Sequence, residues 1–189
     1  MKKIKIVCLG GSMEDNSSTL ALLKYTASKL EKLGAETYLA DIKKINLPIF
    51  CYKALKNLRN TKFKLLAERI KEADGLIFAS PEYHGTVSSA FKNAIDFLEI
   101  LSSNKPPYLS FKPVGCIALG GAEYAGFSTL DAMVHIIHNL RGIAAPSSIA
   151  IGYGNSLFNK KGELVNEVVK KRIDRLAGEV YTLALRLRD

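Results

Sequence analysis

The sequence predicts an α/β fold in which a parallel five-stranded sheet carries helices on both faces. Short apolar runs alternate from end to end with longer segments whose apolar residues recur every three or four positions. No internal repeat, low-complexity tract or linker interrupts this alternation. Strands that alternate with helices are typical of a parallel sheet whose crossover helices cover it. We therefore expect one domain over residues 1–189.

The first half of the chain predicts two strands and two helices. The opening apolar run is rich in isoleucine and valine and ends at a glycine pair. Leucine and alanine recur at helical spacing after it, and Gly34 is a natural helix stop. Pro48 lies in a segment without periodicity. In order, these elements are a strand at 3–9, a helix at 17–33, a strand at 36–41, an irregular segment at 42–59 and a helix at 63–73.

The second half predicts three more strands and three more helices. Pro81 ends the third strand, and Gly120-Gly121 ends the fourth. Between them, Phe91, Ala94 and Leu98 belong to the apolar stripe of a helix. In order, these elements are a strand at 75–80, a helix at 88–101, a strand at 114–119, a helix at 128–140, a strand within 143–151 and a helix at 163–187.

The strand order follows from general rules of chain topology. Parallel crossovers are right-handed, which leaves few arrangements of five strands. A phosphate-type loop after the first strand suggests the strand order 2-1-3-4-5, which is that of the flavodoxin-like three-layer sandwich. Ligands of such folds bind beyond the carboxyl ends of the strands. We therefore expect a site in the loops after the first, third and fourth strands.

The composition is that of a globular protein. Hydrophobic residues make up 48% of the chain, and no apolar run approaches the roughly 18 residues of a membrane helix. The net charge of +9 is spread along the chain, so we expect attraction of anionic cofactors and no nucleic-acid binding. The three cysteines form no C-x-x-C pair, and the opening apolar run is too short for a signal peptide. We expect a cytoplasmic location and no membrane partner.

The loop after the first strand has the chemistry of a phosphate site. Gly10-Gly11-Ser12 begins it, and Ser17-Ser18-Thr19 leads into the next helix. Free amides at a helix start, the helix dipole and hydroxyl donors all favour an anion there. Ser17 also fits an ordinary helix cap, and both interpretations stay open. The loop matches neither a Walker motif nor the G-x-G-x-x-G fingerprint.

Two further loops offer groups suited to a flat ligand. The third strand runs into Ser80-Pro81-Glu82-Tyr83-His84-Gly85, and Lys92-Asn93-Ala94-Ile95-Asp96 follows on a helix. This loop combines a rigid backbone, an aromatic ring and an imidazole. The fourth strand runs into Gly120-Gly121-Ala122, where glycines allow a ligand to approach the backbone closely.

Together these motifs resemble the NADPH-dependent FMN reductases, a family that includes flavodoxin-like quinone, chromate and azo-dye reductases. The resemblance spans nearly the whole chain. It implies bound FMN that NADPH or NADH reduces and that then reduces a small acceptor in a ping-pong reaction. Free flavin, a quinone, an azo dye and chromate are all candidate acceptors. The resemblance also implies a homodimer or homotetramer, with the helix after the third strand at the interface.

The resemblance implies a role for each loop in holding FMN. The first loop is expected to hold the phosphate, the second to line the edge of the isoalloxazine ring, largely through its backbone, and the third to contact the ring from the other side. These residues are, loop by loop, Gly11, Ser12, Ser17, Ser18 and Thr19; Pro81, Glu82, Tyr83, His84 and Gly85; and Gly120, Gly121 and Ala122. Lys92, Asn93 and Asp96 are expected to support the fold.

One departure from the family pattern concerns charge. Glu14 stands where many members carry arginine, and Asp15 follows it. Two carboxylates repel a dianionic phosphate unless they point outward or meet a cation, so we expect weaker FMN binding than usual. An electron-transfer flavodoxin without its own NAD(P)H oxidation is the main alternative function. A non-catalytic nucleotide or anion sensor is the third.

Few side chains are candidates for chemistry of their own. His84 is the one titratable side chain expected near the ring, although a loop residue that bonds backbone fits it as well. Asp131, His135 and His138 share a helix face, but no second ligand cluster accompanies them. We therefore favour a polar surface there over a metal site.

Overall fold

The computed structural model describes residues 2–188 and has a parallel sheet at its centre. The strands are β1 (Lys5–Gly10), β2 (Glu36–Asp41), β3 (Gly75–Tyr83), β4 (Thr86–Val87), β5 (Pro113–Leu119), β6 (Ile143–Ala144) and β7 (Ile149–Ile151). The helices are α1 (Ser18–Lys32), α2 (Ile42–Ile45), α3 (Tyr52–Lys56), α4 (Thr61–Glu72), α5 (Ser89–Asp96), α6 (Phe127–Asn139) and α7 (Glu167–Leu187). Short 3-10 turns follow α5 and β7.

The predicted strand order is confirmed. The sheet runs β2-β1-β3-β5-β6, which is the order 2-1-3-4-5 once the small hairpin strand β4 is set aside. The fifth position is shared by two short strands, because β6 pairs with the start of β5 and β7 with its end. The structure has seven strands where five were predicted. One of the two additional strands comes from this division, and the other is β4, which pairs antiparallel with β3.

Two cores cover the two faces of the sheet, because successive strand residues point to opposite sides. On one face, Phe78 packs with residues of α4, α5 and α6 such as Phe63 and Phe91. On the other face, Ile77 packs with residues of α1 and α7 such as Leu22 and Ile173. Helices thus lie on both faces, as predicted.

Local chemistry explains where the element bounds differ from the sequence prediction. Residues 42–59, expected to be irregular, contain α2 and α3, which are too short to show helical periodicity. Asp41 caps α2 by accepting a hydrogen bond from the Lys43 amide at 3.0 Å. β3 continues past Ser80 and through Pro81 to pair with β4.

The three cysteines are free thiols in two different environments. Cys8 in β1 and Cys116 in β5 are completely buried, and burial raises the pKa of each thiol to about 12. Cys51 is exposed and its sulfur accepts a hydrogen bond from the Ala54 amide at the start of α3. Among residues 2–188, no helix is both long and apolar enough to cross a bilayer.

Candidate functional site

Three predicted loops meet at the carboxyl edge of the sheet. The register places Gly10 of β1 beside Ala79 of β3, and Pro81 of β3 beside Leu119 of β5. We call the segments that follow the first loop (residues 11–17), the hairpin loop (residues 81–88) and the glycine loop (residues 120–126). Because their parent strands are neighbours, these loops surround one region of the surface.

The first loop leaves β1 in close contact with β3. A Cβ on Gly10 would stand 2.2 Å from the carbonyl oxygen of Ala79, so only glycine fits there. Gly11 has a φ of +107° and donates its amide to the same oxygen at 3.3 Å. Ser12 is buried, and its hydroxyl accepts a hydrogen bond from the Glu14 amide at 3.3 Å. These contacts hold the loop as a tight bend over the end of the sheet.

The N-terminus of α1 provides donors for an anion. The Ser17 hydroxyl caps the helix by accepting from the Leu20 amide at 3.1 Å, which confirms the cap interpretation. Ser18 and Thr19 are the first residues of the helix, so their amides have no partner within it. A cavity of about 340 Å³ lies against this turn and is lined by Asp15, Ser17, Ser18, Lys24, Asn159 and neighbouring residues. The cap and the free amides coexist, so both interpretations of the loop fit the structure.

The two carboxylates of the first loop face solvent. Glu14 is exposed, and the side chain of Asp15 has an exposed fraction of 93%. Asp15 forms an ion pair with Lys43, whose Nζ lies 2.5 Å from its carboxylate oxygen. The hydrogen bond and charge of Lys43 hold the pKa of the Asp15 carboxyl below its ordinary value. Asp15 therefore both points outward and meets a cation.

The hairpin loop turns on two residues with positive φ. Glu82 and Tyr83 of β3 pair with Val87 and Thr86 of β4. Between the strands, His84 has a φ of +52° and Gly85 of +79°, the conformation that two-residue hairpins adopt. The tip is exposed, and Tyr83 presents about half of its surface to solvent. His84 is thus displayed at the rim of the site by backbone geometry.

Glu82 joins the hairpin loop to the glycine loop. Its Oε2 accepts hydrogen bonds from the Gly126 amide at 2.7 Å and from the buried Thr129 hydroxyl at 3.2 Å. Gly126 is the N-cap of α6, and the first turn of that helix has no acidic residue of its own. The carboxylate therefore also satisfies the positive end of the α6 dipole. This use of Glu82 was missed in the sequence, because its partners lie 44 and 47 residues away.

The glycine loop contains one crowded and one open glycine. A Cβ on Gly120 would stand 2.1 Å from the Cβ of Ala125, whereas a Cβ on Gly121 would meet no atom within 4 Å. Gly120 is also fixed at both backbone groups, donating to Ile151 at 2.9 Å and accepting from Gly154 at 3.0 Å. Gly121 and Ala122 are exposed. The loop therefore presents a fixed base with an open upper surface.

The helix after the hairpin provides the expected support. Ser88 caps α5 and is held by the buried Ser80 hydroxyl at 3.0 Å. Asn93 accepts a hydrogen bond from the Phe50 amide and donates one to the Pro48 carbonyl, each at 2.8 Å. Lys92 pairs with Asp96 at 2.6 Å. The Lys92–Asp96 motif thus fixes the α5 surface and the 48–50 segment.

A larger cavity adjoins the hairpin loop. It has a volume of about 910 Å³ and mostly apolar walls. Asp131 and His135 of α6 face it together with His84, a grouping that the sequence did not indicate. Within the described part of the chain, no group of three or more histidine, cysteine or carboxylate side chains could hold a metal ion. The residues that line this 910 Å³ cavity are Tyr83, His84, Thr86, Val87, Ser89, Lys92, Asp131, Ala132, His135 and Ile136.

Known proteins resemble the chain over most of its length. The NADPH-dependent FMN reductase family matches residues 4–156. An FMN-dependent NADPH-azoreductase of Staphylococcus aureus is 31% identical over 159 residues, which are 80% of this chain and 79% of the relative. An NADPH azoreductase of Bacillus sp. (strain OY1-2) is 28% identical over 173 residues, 89% of this chain and 90% of the relative. The solved flavoenzyme NAD(P)H:(acceptor) oxidoreductase of Paracoccus denitrificans shares the fold, with a TM-score of 0.77 at 17% identity over 97% of this chain and 98% of that one.

The fold, the donor set and the family match agree. Free amides and hydroxyls at the start of α1 suit a phosphate, and the open surface above Gly121 suits a flat ring. The family match covers well over half of the sequence. The chain therefore belongs to the NADPH-dependent FMN reductase family, as an FMN-dependent oxidoreductase that takes its electrons from NAD(P)H.

Proposed function

We propose that the three loops form one FMN site and that the enzyme reduces an azo compound or a quinone there. The observation that carries the proposal is the meeting of three features at one sheet edge. These are the free amides of α1, the fixed hairpin turn and the open glycine surface. The names of the Staphylococcus and Bacillus relatives favour azo compounds as acceptors.

The phosphate end of the site is assigned to the first loop. The amides of Ser18 and Thr19 donate to phosphate oxygens, and the Ser17 and Ser18 hydroxyls lie within the same turn. Gly11 and the buried Ser12 keep the backbone close to the sheet, so that the phosphate can reach the helix. The protein's positive charge favours both FMN and NADPH.

The ring end is assigned to the hairpin and glycine loops. The hairpin loop presents backbone groups along one edge of the ring, from Pro81, Tyr83, His84 and Gly85. Glu82 holds the hairpin against the start of α6, because its carboxylate accepts hydrogen bonds from that helix. Gly120 forms the fixed base of the other wall, while Gly121 and Ala122 face the ring across open space. All of these groups lie on turns that backbone hydrogen bonds hold in place.

The acceptor is assigned to the 910 Å³ cavity beside the hairpin. FMN supplies the hydride and electron chemistry of the reaction, so the protein needs only to bind and orient the two substrates. Val87, Ala132 and Ile136 give the cavity apolar walls that suit an aromatic acceptor, and the imidazole of His84 stands at its rim. The volume lies within the range of small-molecule sites.

An anaerobic absorbance experiment tests this function directly. The chain supplied with FMN is treated with NADPH, and loss of the visible flavin band is the expected result. An azo dye, a quinone, free flavin or chromate is then added, and the flavin band is followed as it returns. Fastest recovery with the dye or the quinone supports the proposal, whereas recovery only with free flavin or chromate contradicts the acceptor assignment. Bound flavin that NADPH fails to reduce would identify an electron-transfer module instead.

A variant that fills the cavity separates acceptor binding from cofactor binding. Ala132→Phe places a ring in the cavity, while Ser128→Phe adds the same group to an exposed position near the start of α6. We expect Ala132→Phe to raise the KM for the dye and to leave FMN affinity unchanged. An unaltered KM for the dye in Ala132→Phe would show that the acceptor does not bind in this cavity.

We also propose a homodimer or homotetramer, a single domain and a cytoplasmic location. The assembly is proposed from the family resemblance, which implies that the helix after the third strand, α5, lies at the interface. Light scattering at several protein concentrations tests the assembly, and a monomer at all of them would contradict it. Three free thiols, two of them buried, suit a reducing compartment. Subcellular fractionation tests the location, and a single unfolding transition tests the domain count.

A further inference from the structure

The first loop has a charge that its proposed ligand must overcome. Glu14 and Asp15 lie immediately before Ser17, the cap of the helix whose amides are assigned to the FMN phosphate. Two carboxylates next to a dianion would weaken binding, because like charges repel over the few ångströms that separate adjacent loop residues. The donors of the loop itself are neutral hydroxyls and amides. Lys24 of α1 faces the cavity itself, so a cation that pairs with the loop's own carboxylates has to come from another part of the chain.

Lys43 is placed to supply that cation. β2 lies next to β1, and its last residue, Asp41, is opposite Gly10 in the register. Asp41 then fixes the start of α2 by accepting the Lys43 amide at 3.0 Å. From this anchored backbone, the Lys43 ammonium reaches Asp15 at 2.5 Å. The contact spans 28 residues of sequence and connects α2 to the first loop.

We propose that Lys43 is a positioning residue for the flavin phosphate, which it serves by neutralising Asp15, a carboxylate that borders the cavity at the start of α1. The inference rests on the proposed FMN site. Lys43 acts through Asp15 and not by contact with the phosphate. The exposed side chain of Asp15, directed to solvent and to Lys43, is the geometry that this role requires.

The physical state of the pair supports the role. The pKa of Asp15 lies below its ordinary value, first because of the hydrogen bond from Lys43 and then because of its charge. The carboxylate is consequently ionised at neutral pH and carries a charge that needs compensation. Both side chains are accessible to solvent, so the pair contributes little to folding and salt screens it. Variants at these positions are therefore expected to fold.

The test compares FMN with riboflavin, which lacks the phosphate. Flavin fluorescence is titrated with the full chain freed of cofactor, at low ionic strength. We expect Lys43→Gln to weaken FMN binding about tenfold, as the return of one uncompensated charge would. The affinity for riboflavin should stay unchanged. High salt should reduce the difference in FMN affinity between Lys43→Gln and the unaltered protein. The double variant Lys43→Gln/Asp15→Asn should bind FMN like the unaltered protein, because the Asp15 charge that Lys43 compensates is then also absent, while Glu14 is the same in every variant.

Lys44→Gln is the matched control, because it removes the same charge from the adjacent, exposed position. An equal loss in Lys44→Gln would show a general charge effect and overturn the inference. No loss in Lys43→Gln, or an equal loss for riboflavin, would overturn it as well. A double variant that stays weak would assign Lys43 to the phosphate directly and contradict action through Asp15. If the unaltered protein fails to bind FMN more tightly than riboflavin, the phosphate site itself is wrong.

Discussion

The two ends of the proposed flavin site are held by opposite kinds of interaction. At the ring end, the Glu82 carboxylate joins two loops through a bond to the Gly126 amide and another to a buried hydroxyl. At the phosphate end, an exposed ion pair between Asp15 and Lys43 steadies a loop whose neighbouring amides stay free. The ring end is built from satisfied hydrogen bonds, whereas the phosphate end keeps its donors unsatisfied.

This difference follows from what each part of the ligand offers. A flat ring gains from walls that are already in place, because ordering them on binding would cost conformational entropy. A phosphate brings charge and acceptor oxygens, so it needs donors that no protein group has already used. Substitutions at the ring end should therefore change both folding and flavin binding. Substitutions at the phosphate end should separate FMN from riboflavin.

The largest effect is expected at Gly120. Gly120→Ala would place its Cβ 2.1 Å from that of Ala125, and we expect the free energy of unfolding to fall by about 3 kcal/mol. Gly121→Ala is the matched control, because the added methyl meets no atom within 4 Å. Gly121→Ala should leave thermal stability unchanged and should weaken the binding of FMN and of riboflavin equally. Calorimetry measures the change in stability and flavin titration the change in affinity. Normal flavin affinity in Gly121→Ala would contradict the assignment of the isoalloxazine ring to the surface above Gly121.

A smaller loss is expected at Glu82. Glu82→Ala leaves the Gly126 amide and the buried Thr129 hydroxyl without their acceptor, which should destabilise the fold by about 2 kcal/mol. Both flavins should bind more weakly, because the hairpin and glycine loops then move independently. Glu123→Ala removes an exposed carboxylate from the glycine loop, where it accepts a hydrogen bond from the exposed Tyr153 hydroxyl at 3.3 Å, and serves as the control. Denaturant unfolding and titration with both flavins would reveal the difference, and equal behaviour of the two variants would argue against the joining role.

At the phosphate end, Ser17 should have a modest effect. Ser17→Ala removes the cap that accepts the Leu20 amide, at a cost of about 1 kcal/mol in stability. Ser18→Ala, at the first position of the helix, should leave stability nearly unchanged. We expect both variants to weaken FMN binding and to spare riboflavin. If riboflavin binding fell as far as FMN binding, the phosphate would have to lie elsewhere.

Local signals in the sequence predicted most of the framework. Glycine stops and helical spacing located the main elements, and the order 2-1-3-4-5 followed from the crossover rule and the phosphate-type loop after the first strand. The contacts that join the loops had no such signal. Lys43 and Asp15 are 28 residues apart, and surface charges carry no periodic pattern that would pair them. The acceptor of the Gly126 amide could be found only once the fold had brought Glu82 beside α6.

The smallest effect concerns the thiols of the strands that lead into the two ends. Cys8 in β1 precedes the first loop and Cys116 in β5 precedes the glycine loop; both are fully buried, with pKa values raised to about 12. Because the reactive thiolate is scarce at neutral pH and the sulfur is inaccessible, we expect only Cys51 to react with a thiol reagent in the native protein. All three should react in denaturant, which mass spectrometry can assign site by site. The two ends differ in their loops but share one parallel sheet, so labelling of Cys8 or Cys116 as early as Cys51 would contradict the burial of that strand.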